Sequence, residues 1–344
     1  MTNYDDLLND YKDILSDDEL ELETPSTPTP TIDEAVKALR AQEEVRSSVA
    51  LLHGLSGLVA DDLSKISPVW AALPPNYRRT VMRDLIKFSE LNIEMDYRTF
   101  GIAGMDDPDP GVREAAIELL WEDESLEVMT LLIKVVRHDI EPEVRAAAAT
   151  GLGRYILLGE LGDLPEDETA HAQTAVITML QDPNESVAAQ RRALEAIANS
   201  SHPIVKTAID EAYHGTNHEM RVSAVFAMGR SCDSRWHDIV LEEVESTDPE
   251  LCFEAVRAAG ELEIVEAVPK LGRLVLDDDR EIVEAAVWSL GEIGGKESVR
   301  ILEALAEKAE EEEDEGLIDA VEDALGNATL ADGLFGDLDV DDLV

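Results

Sequence analysis

The chain has 344 residues, of which 44% are hydrophobic but only 4% aromatic. Alanine and leucine carry the apolar content, which favours closely packed helices over a β-sandwich. The formal net charge is -48, from 76 acidic against 28 basic residues, a field that repels nucleic-acid phosphates and anionic membrane surfaces and favours solubility and cationic partners.

Residues 1–23 hold nine acids and one lysine among leucines and isoleucines such as Leu7, Ile14 and Leu20. This reads as an acidic-hydrophobic arm, disordered on its own. Thr24 to Thr31 is built of Thr, Pro and Ser, an extended linker that closes a first segment over residues 1–31. The N-terminus has no basic n-region and no apolar h-region, so no signal peptide is predicted. No uncharged apolar run approaches the ~20 residues a membrane span needs.

Thr31-Ile32-Asp33-Glu34 is a capping-box pattern and starts the first ordered helix. From 32 to 106 the pattern is helical but irregular. Tyr77, Val81, Leu85 and Phe88 share one face of a helix opened by Pro74-Pro75. This region is predicted to be an N-terminal cap covering the end of a helical array.

After Asp107 the chain repeats itself. The pattern has an apolar residue at offset 0, mostly small residues at +3, +4 and +7, an apolar one at +8 and Gly at +9. It starts at Val112, Val144, Ala189, Met220, Leu251, Ile282 and Leu317, with spacings of 32, 45, 31, 31, 31 and 35. Offset +9 is Gly153, Gly229, Gly260, Gly291 and Gly326, with Trp121 and Ala198 as exceptions. Offsets 0, +3, +4, +7 and +8 trace one helical face, and small residues there let helices approach closely. Pro110, Pro142 and Pro249 occupy offset -2, in the first turn, where proline costs least. A second apolar helix precedes each patterned one. Each unit is therefore helix, turn, helix, stacked seven times over residues 107–328. Leu157 to Thr169 is an insertion in the array, read either as a longer loop or as a binding element. Residues 329–344 form an acidic C-terminal tail. Cys232 and Cys252 are eleven register positions apart, roughly 16 Å at helical rise and too far for a disulfide. That reading, with the missing signal, predicts a reducing, cytoplasmic location.

These units resemble short bacterial HEAT repeats of the phycobilisome-lyase-like class, most closely in Glu266 to Leu271 followed by Ile282 to Gly294. The resemblance implies an all-α superhelix of the armadillo/HEAT type, with the patterned helices lining its concave face. Such proteins serve as scaffolds, assembly factors and adaptors; a minority act on a chromophore or carry a di-iron site. The resemblance also implies that an arginine after offset 0 forms a polar ladder between layers. Here it is Arg113, Arg145 and Arg221, whereas Gln190, Cys252, Val283 and Ile318 depart from the pattern.

A di-iron hydroxylase resembling deoxyhypusine hydroxylase needs several His-Glu dyads on opposed repeats. The seven histidines supply one dyad, His218-Glu219, so no metal or cofactor is expected. No phosphate loop or Ser/His/Asp arrangement is signalled. Acidic clusters such as Asp107/Asp109 and Asp277/Asp278/Asp279 fall at turns, where carboxylates cap helices.

Offsets +2, +6 and +10 lie on the side of each patterned helix away from the core. The ends of that stripe are acidic, while its centre carries Arg154, Arg191, Phe226, Arg230, Phe253, Arg257 and Trp288. Arginines and aromatics are enriched at binding hot spots. The aromatics either fill the tight inner curve or hold a ligand. The function expected is a non-catalytic scaffold binding a protein or peptide on this stripe, the groove taking an acidic-hydrophobic peptide or helix through its arginines and aromatics. The rival is a bilin-lyase-like enzyme whose arginines pair with propionates. Both acidic tails, Asp5 to Leu22 and Leu334 to Val344, have the character of a ligand for the same groove.

Overall fold

The computed structural model describes residues 30–335, so the predicted N-terminal arm and the last residues of the predicted tail lie outside the described residues. The described residues form eighteen α-helices and no strand. By contact the chain divides after Phe100.

The first unit holds α1 (Ile32–Ala41), α2 (Val49–Gly54), α3 (Ala60–Trp70) and α4 (Pro75–Leu91). The capping box at its start is formed: Glu34 N–H donates to Thr31 Oγ1, and Thr31 N–H donates to Glu34 Oε2 at 2.7 Å. Leu39, Leu51, Leu55, Ile66, Met82 and Leu85 make its core. Tyr97 buries its hydroxyl, which donates to the Leu52 carbonyl at 2.6 Å. Of the predicted α4 face, Val81 and Leu85 are buried and Phe88 is half-buried. Tyr77 donates from its hydroxyl to the Glu43 carbonyl at 2.7 Å.

Helix α5 (Arg98–Gly104) spans the division. The second unit then alternates outer and patterned helices. The patterned ones are α6 (Pro110–Leu119), α8 (Pro142–Leu161), α10 (Val187–Ile197), α12 (His218–Arg230), α14 (Pro249–Glu261), α16 (Arg280–Ile293) and α18 (Glu315–Phe335). Between them run α7 (Leu126–His138), α9 (Glu166–Gln181), α11 (Ile204–His214), α13 (His237–Glu243), α15 (Val268–Leu274) and α17 (Gly295–Glu312). This is an all-α superhelical repeat fold. Its patterned helices begin as the sequence dictates: Pro110, Pro142 and Pro249 occupy the first turn, and the side chains of Asp109, Ser186, Asn217, Asp248 and Asp279 accept from backbone N–H groups as N-caps. The turn carboxylates cap as expected. Asp107 Oδ1 accepts from Asp109 N–H at 2.8 Å and Asp277 Oδ1 from Asp279 N–H at 2.9 Å.

The small register positions have a specific partner. A Cβ on Gly291 would come within 2.9 Å of Ala324 Cα, one on Gly229 within 2.9 Å of Ala258 Cα, and one on Gly153 within 3.1 Å of Ala196 Cα. Each of these +9 glycines therefore lies on the +7 residue of the next patterned helix, backbone against backbone. Gly260 does the same against Ser289, and Ser289 Oγ donates across to the Val256 carbonyl at 2.8 Å. Every pair of successive patterned helices is in contact. Contact along the outer row is sparser, and is closest between α7 and α9. An array packed tighter on one side curves towards it, so the patterned row is the inner face.

The insertion resolves differently from a longer loop. Its residues extend α8 to Leu161 and begin α9 at Glu166, leaving four residues between the helices. Gly162 closes α8 at φ 85°, a conformation glycine adopts without strain. Gly159 leaves no room for a Cβ against Thr169, which clamps the two helices together.

The arginine ladder exists where the sequence keeps it. Arg113 holds Asp139 through Nε and Nη2, both at 2.8 Å, and donates from Nη1 to the Asp107 carbonyl at 2.9 Å. Arg145 repeats this with Glu185, at 2.8 and 2.6 Å, and the Asp139 carbonyl, at 2.8 Å. Arg221 pairs with the buried Glu243. Where the pattern departs, other groups substitute. Gln190 Nε2 donates to the Asp182 carbonyl at 2.9 Å, and Cys252 Sγ reaches the Val244 carbonyl at 3.5 Å. In the sixth unit Arg280, at offset -2, pairs with Asp314 of the seventh. Both cysteines are free. Among the described residues no helix is long and apolar enough to cross a membrane.

Candidate functional site

Curvature brings side chains from non-adjacent helices together. A groove of about 380 Å³ on the inner face is lined from Trp121, just beyond α6, to Glu254 on α14. Four residues of the predicted stripe meet there: Arg154, Arg191, Phe226 and Arg230. Phe253, Arg257 and Trp288 continue the stripe beyond the groove lining. Phe226 and Phe253 are half-buried, while Trp288 is 36% exposed. Gly260 makes room for the Trp288 ring, since a Cβ there would come within 2.9 Å of its Cζ3.

The arginines are engaged within the chain. Arg154 donates to the Trp121 and Glu122 carbonyls and to Glu124 Oε1 at 2.7 Å. Arg191 donates to Ser223 Oγ at 2.9 Å and approaches Glu219 at 3.4 Å. Arg230 lies 3.2 Å from Glu261 and 5.5 Å from the centre of the Phe226 ring. Arg257 lies 3.9 Å from the same Glu261 and 5.7 Å from the centre of the Trp288 ring. Guanidinium over an aromatic face is a cation–π arrangement.

Three carboxyls sit among these arginines. Glu195 accepts from Ser223 Oγ at 2.6 Å and pairs with Arg192 at 2.7 Å. Burial nonetheless raises its pKa, against that hydrogen bond and the charges of Arg192 and Arg191. Burial also raises the pKa of Glu261, against Arg230 and Arg257. Glu254 goes furthest, to about 7. Burial is the main cause; Arg257 and Arg192 oppose it, while the neighbouring Glu195 and Glu261 add to it. Its Oε2 is buried and takes no hydrogen bond.

Glu195 and Glu261 occupy offsets +6 and +10 of the stripe, and the residues that the stripe misses are Trp121, Arg192 and Glu254. The missing signal is at offset +3. Units one, two, six and seven carry Ala115, Ala147, Ala285 and Ala320 there, whereas units three to five carry Arg192, Ser223 and Glu254. Three consecutive polar residues in a position otherwise always alanine mark where the inner face changes character. Among the described residues no group of three or more His, Cys, Asp or Glu is arranged to hold a metal ion. His218 instead reaches across to Glu250, at 3.2 Å, in the next unit.

The sequence matches the HEAT-repeat family over residues 101–182 and 237–325, so HEAT repeats stand on both sides of α10 and α12. No curated protein sequence matches the chain. Among solved structures, YibA of Escherichia coli is 15% identical, with 84% of this chain and 97% of that one covered and a TM-score of 0.44. The complex of CpcE and CpcF of phycocyanin lyase from Nostoc is 15% identical, covering 88% and 98%, at a TM-score of 0.43. Human deoxyhypusine hydroxylase is 14% identical, covering 87% and 97%, at a TM-score of 0.34.

Proposed function

We propose that this chain is a non-catalytic scaffold that binds a protein or peptide partner along its inner face. The observation that carries this reading is one groove assembled from five successive units, with Trp121, 48% exposed, at one end and Phe226 on its wall. An extended groove across repeats suits a chain-like ligand, and exposed aromatics supply contact area at low conformational cost. The ion pairs fix the walls before a partner arrives, which limits the ordering cost of association. The acidic tails, read from the sequence as ligands for this groove, lie largely outside the described residues.

The test is site-specific photo-crosslinking in the full chain, with a benzophenone side chain at Thr150 in the groove or at Glu242 on the outer row. Discrete protein adducts from position 150 and none from 242 are expected. The same adducts from both positions, or none from either, would sink the reading.

A further inference from the structure

Taking the inner groove as the binding site, we infer that its occupant anchors itself with a basic side chain, a lysine in particular, whose ammonium meets the carboxylate of Glu254. The inference rests on the scaffold reading and adds the chemistry of the partner.

The arginines do not present free charge. Arg154 is held by Glu124, Arg191 by Ser223 and Glu219, Arg192 by Glu195, and Arg230 by Glu261. Each guanidinium therefore has an acidic partner at 2.7 to 3.4 Å. Glu254 is left over: it lines the groove, forms no ion pair, and leaves a buried oxygen without a donor. A buried polar atom with no partner costs roughly 1–3 kcal/mol until something satisfies it. An ammonium supplies both the donor and the opposite charge. An anionic ligand would instead have to displace intact arginine–carboxylate pairs and approach a chain of net charge -48. That field steers cationic ligands inward. Phe226, which lines the same groove, offers an aromatic surface for the aliphatic stem of a lysine.

Proton linkage gives the inference its signature. The charged groups around Glu254 are Glu261 and Arg257 on its own helix and Glu195 and Arg192 on α10. With these held in place, an incoming ammonium favours ionised Glu254. Its pKa then falls from about 7, and binding at neutral pH releases a proton. Affinity for a basic ligand should therefore rise as pH climbs from about 6 to 8.

The experiment is isothermal titration of octalysine and of octaglutamate into the full chain at physiological salt, in two buffers of different ionisation enthalpy. Glu254→Gln is compared with Glu242→Gln, which changes net charge equally on the outer row. Octalysine should bind with release of up to one proton, and Glu254→Gln should weaken it at least tenfold and abolish the release, while Glu242→Gln changes neither. Equal octalysine binding by both variants means attraction to the whole surface and overturns the inference. Octaglutamate binding that is lost in Arg230→Ala overturns it too, but leaves the scaffold reading standing. Binding of neither peptide, together with no crosslinks from position 150, removes both.

Discussion

The third to fifth units and the sixth and seventh units of the array share one register and use it differently. In both groups the +9 and +7 positions are small, because Gly229 rests on Ala258 and Gly291 on Ala324 with no space for another atom. At +3 they part: Arg192, Ser223 and Glu254 in the middle, Ala285 and Ala320 at the end. The positions that touch a neighbouring backbone are constrained by packing. The position one helical turn before +7 lines the inner groove in the middle units, where it is polar or charged.

The largest effect that could break this comparison is at the seam. Gly291→Val should destabilise by about 3 kcal/mol, because a β-branched side chain cannot fit against Ala324. Gly326→Val, at the same offset in the last unit, should cost less than about 1 kcal/mol, since a Cβ there meets nothing within 4 Å. Equal losses in urea unfolding would mean that the +9 seam does not hold the array together.

Next comes the ladder. Arg145→Ala strands the nearly buried carboxylate of Glu185 and should cost about 2 kcal/mol. Burial alone would raise the Glu185 pKa, but the Arg145 hydrogen bonds and the Ser186 N–H carry it below its ordinary value. A depressed carboxylate contributes stability that is present above its unfolded pKa and lost as pH falls through the folded one. The gap between wild type and Arg145→Ala should therefore close on acidification below pH about 4.5. A gap independent of pH would assign the loss to packing alone.

Glu254→Gln tests the middle units in the opposite direction. A raised carboxyl pKa penalises folding as pH rises from about 4.5 to 7, because the unfolded chain ionises first. Removing the charge should stabilise by on the order of 1.5 kcal/mol at pH 8 and hardly at all at pH 4, the buried amide keeping part of the cost. Stabilisation of the same size at both pH values would show that Glu254 carries no buried charge. The smallest effect is expected from deleting residues 1–29, which lack the apolar periodicity of the array. Thermal unfolding of the repeats should shift by no more than the equivalent of about 0.5 kcal/mol.

The fold was legible because close backbone approach demands small residues at a fixed period, and Gly229, Gly260 and Gly291 keep that period without error. The stripe was half legible. Arg154, Arg191, Phe226 and Arg230 follow from helical geometry alone. That Glu254 shares a groove with Arg192, two helices away, depends on how sharply the array curves, and no local pattern encodes that. The substitution of Arg280 for the ladder arginine was hidden for a related reason: it reaches Asp314 from offset -2, outside the position where the ladder is sought.

The seam of Gly153, Gly229, Gly260 and Gly291 also has a mechanical meaning. A curved beam bends about its neutral axis, the line that neither stretches nor shortens. Backbone-to-backbone contact makes the inner row that line, because close-packed interiors resist both compression and separation. Flexing the array therefore opens and closes the gaps between outer helices, while the spacing along the inner row, and with it the width of the groove, stays nearly constant.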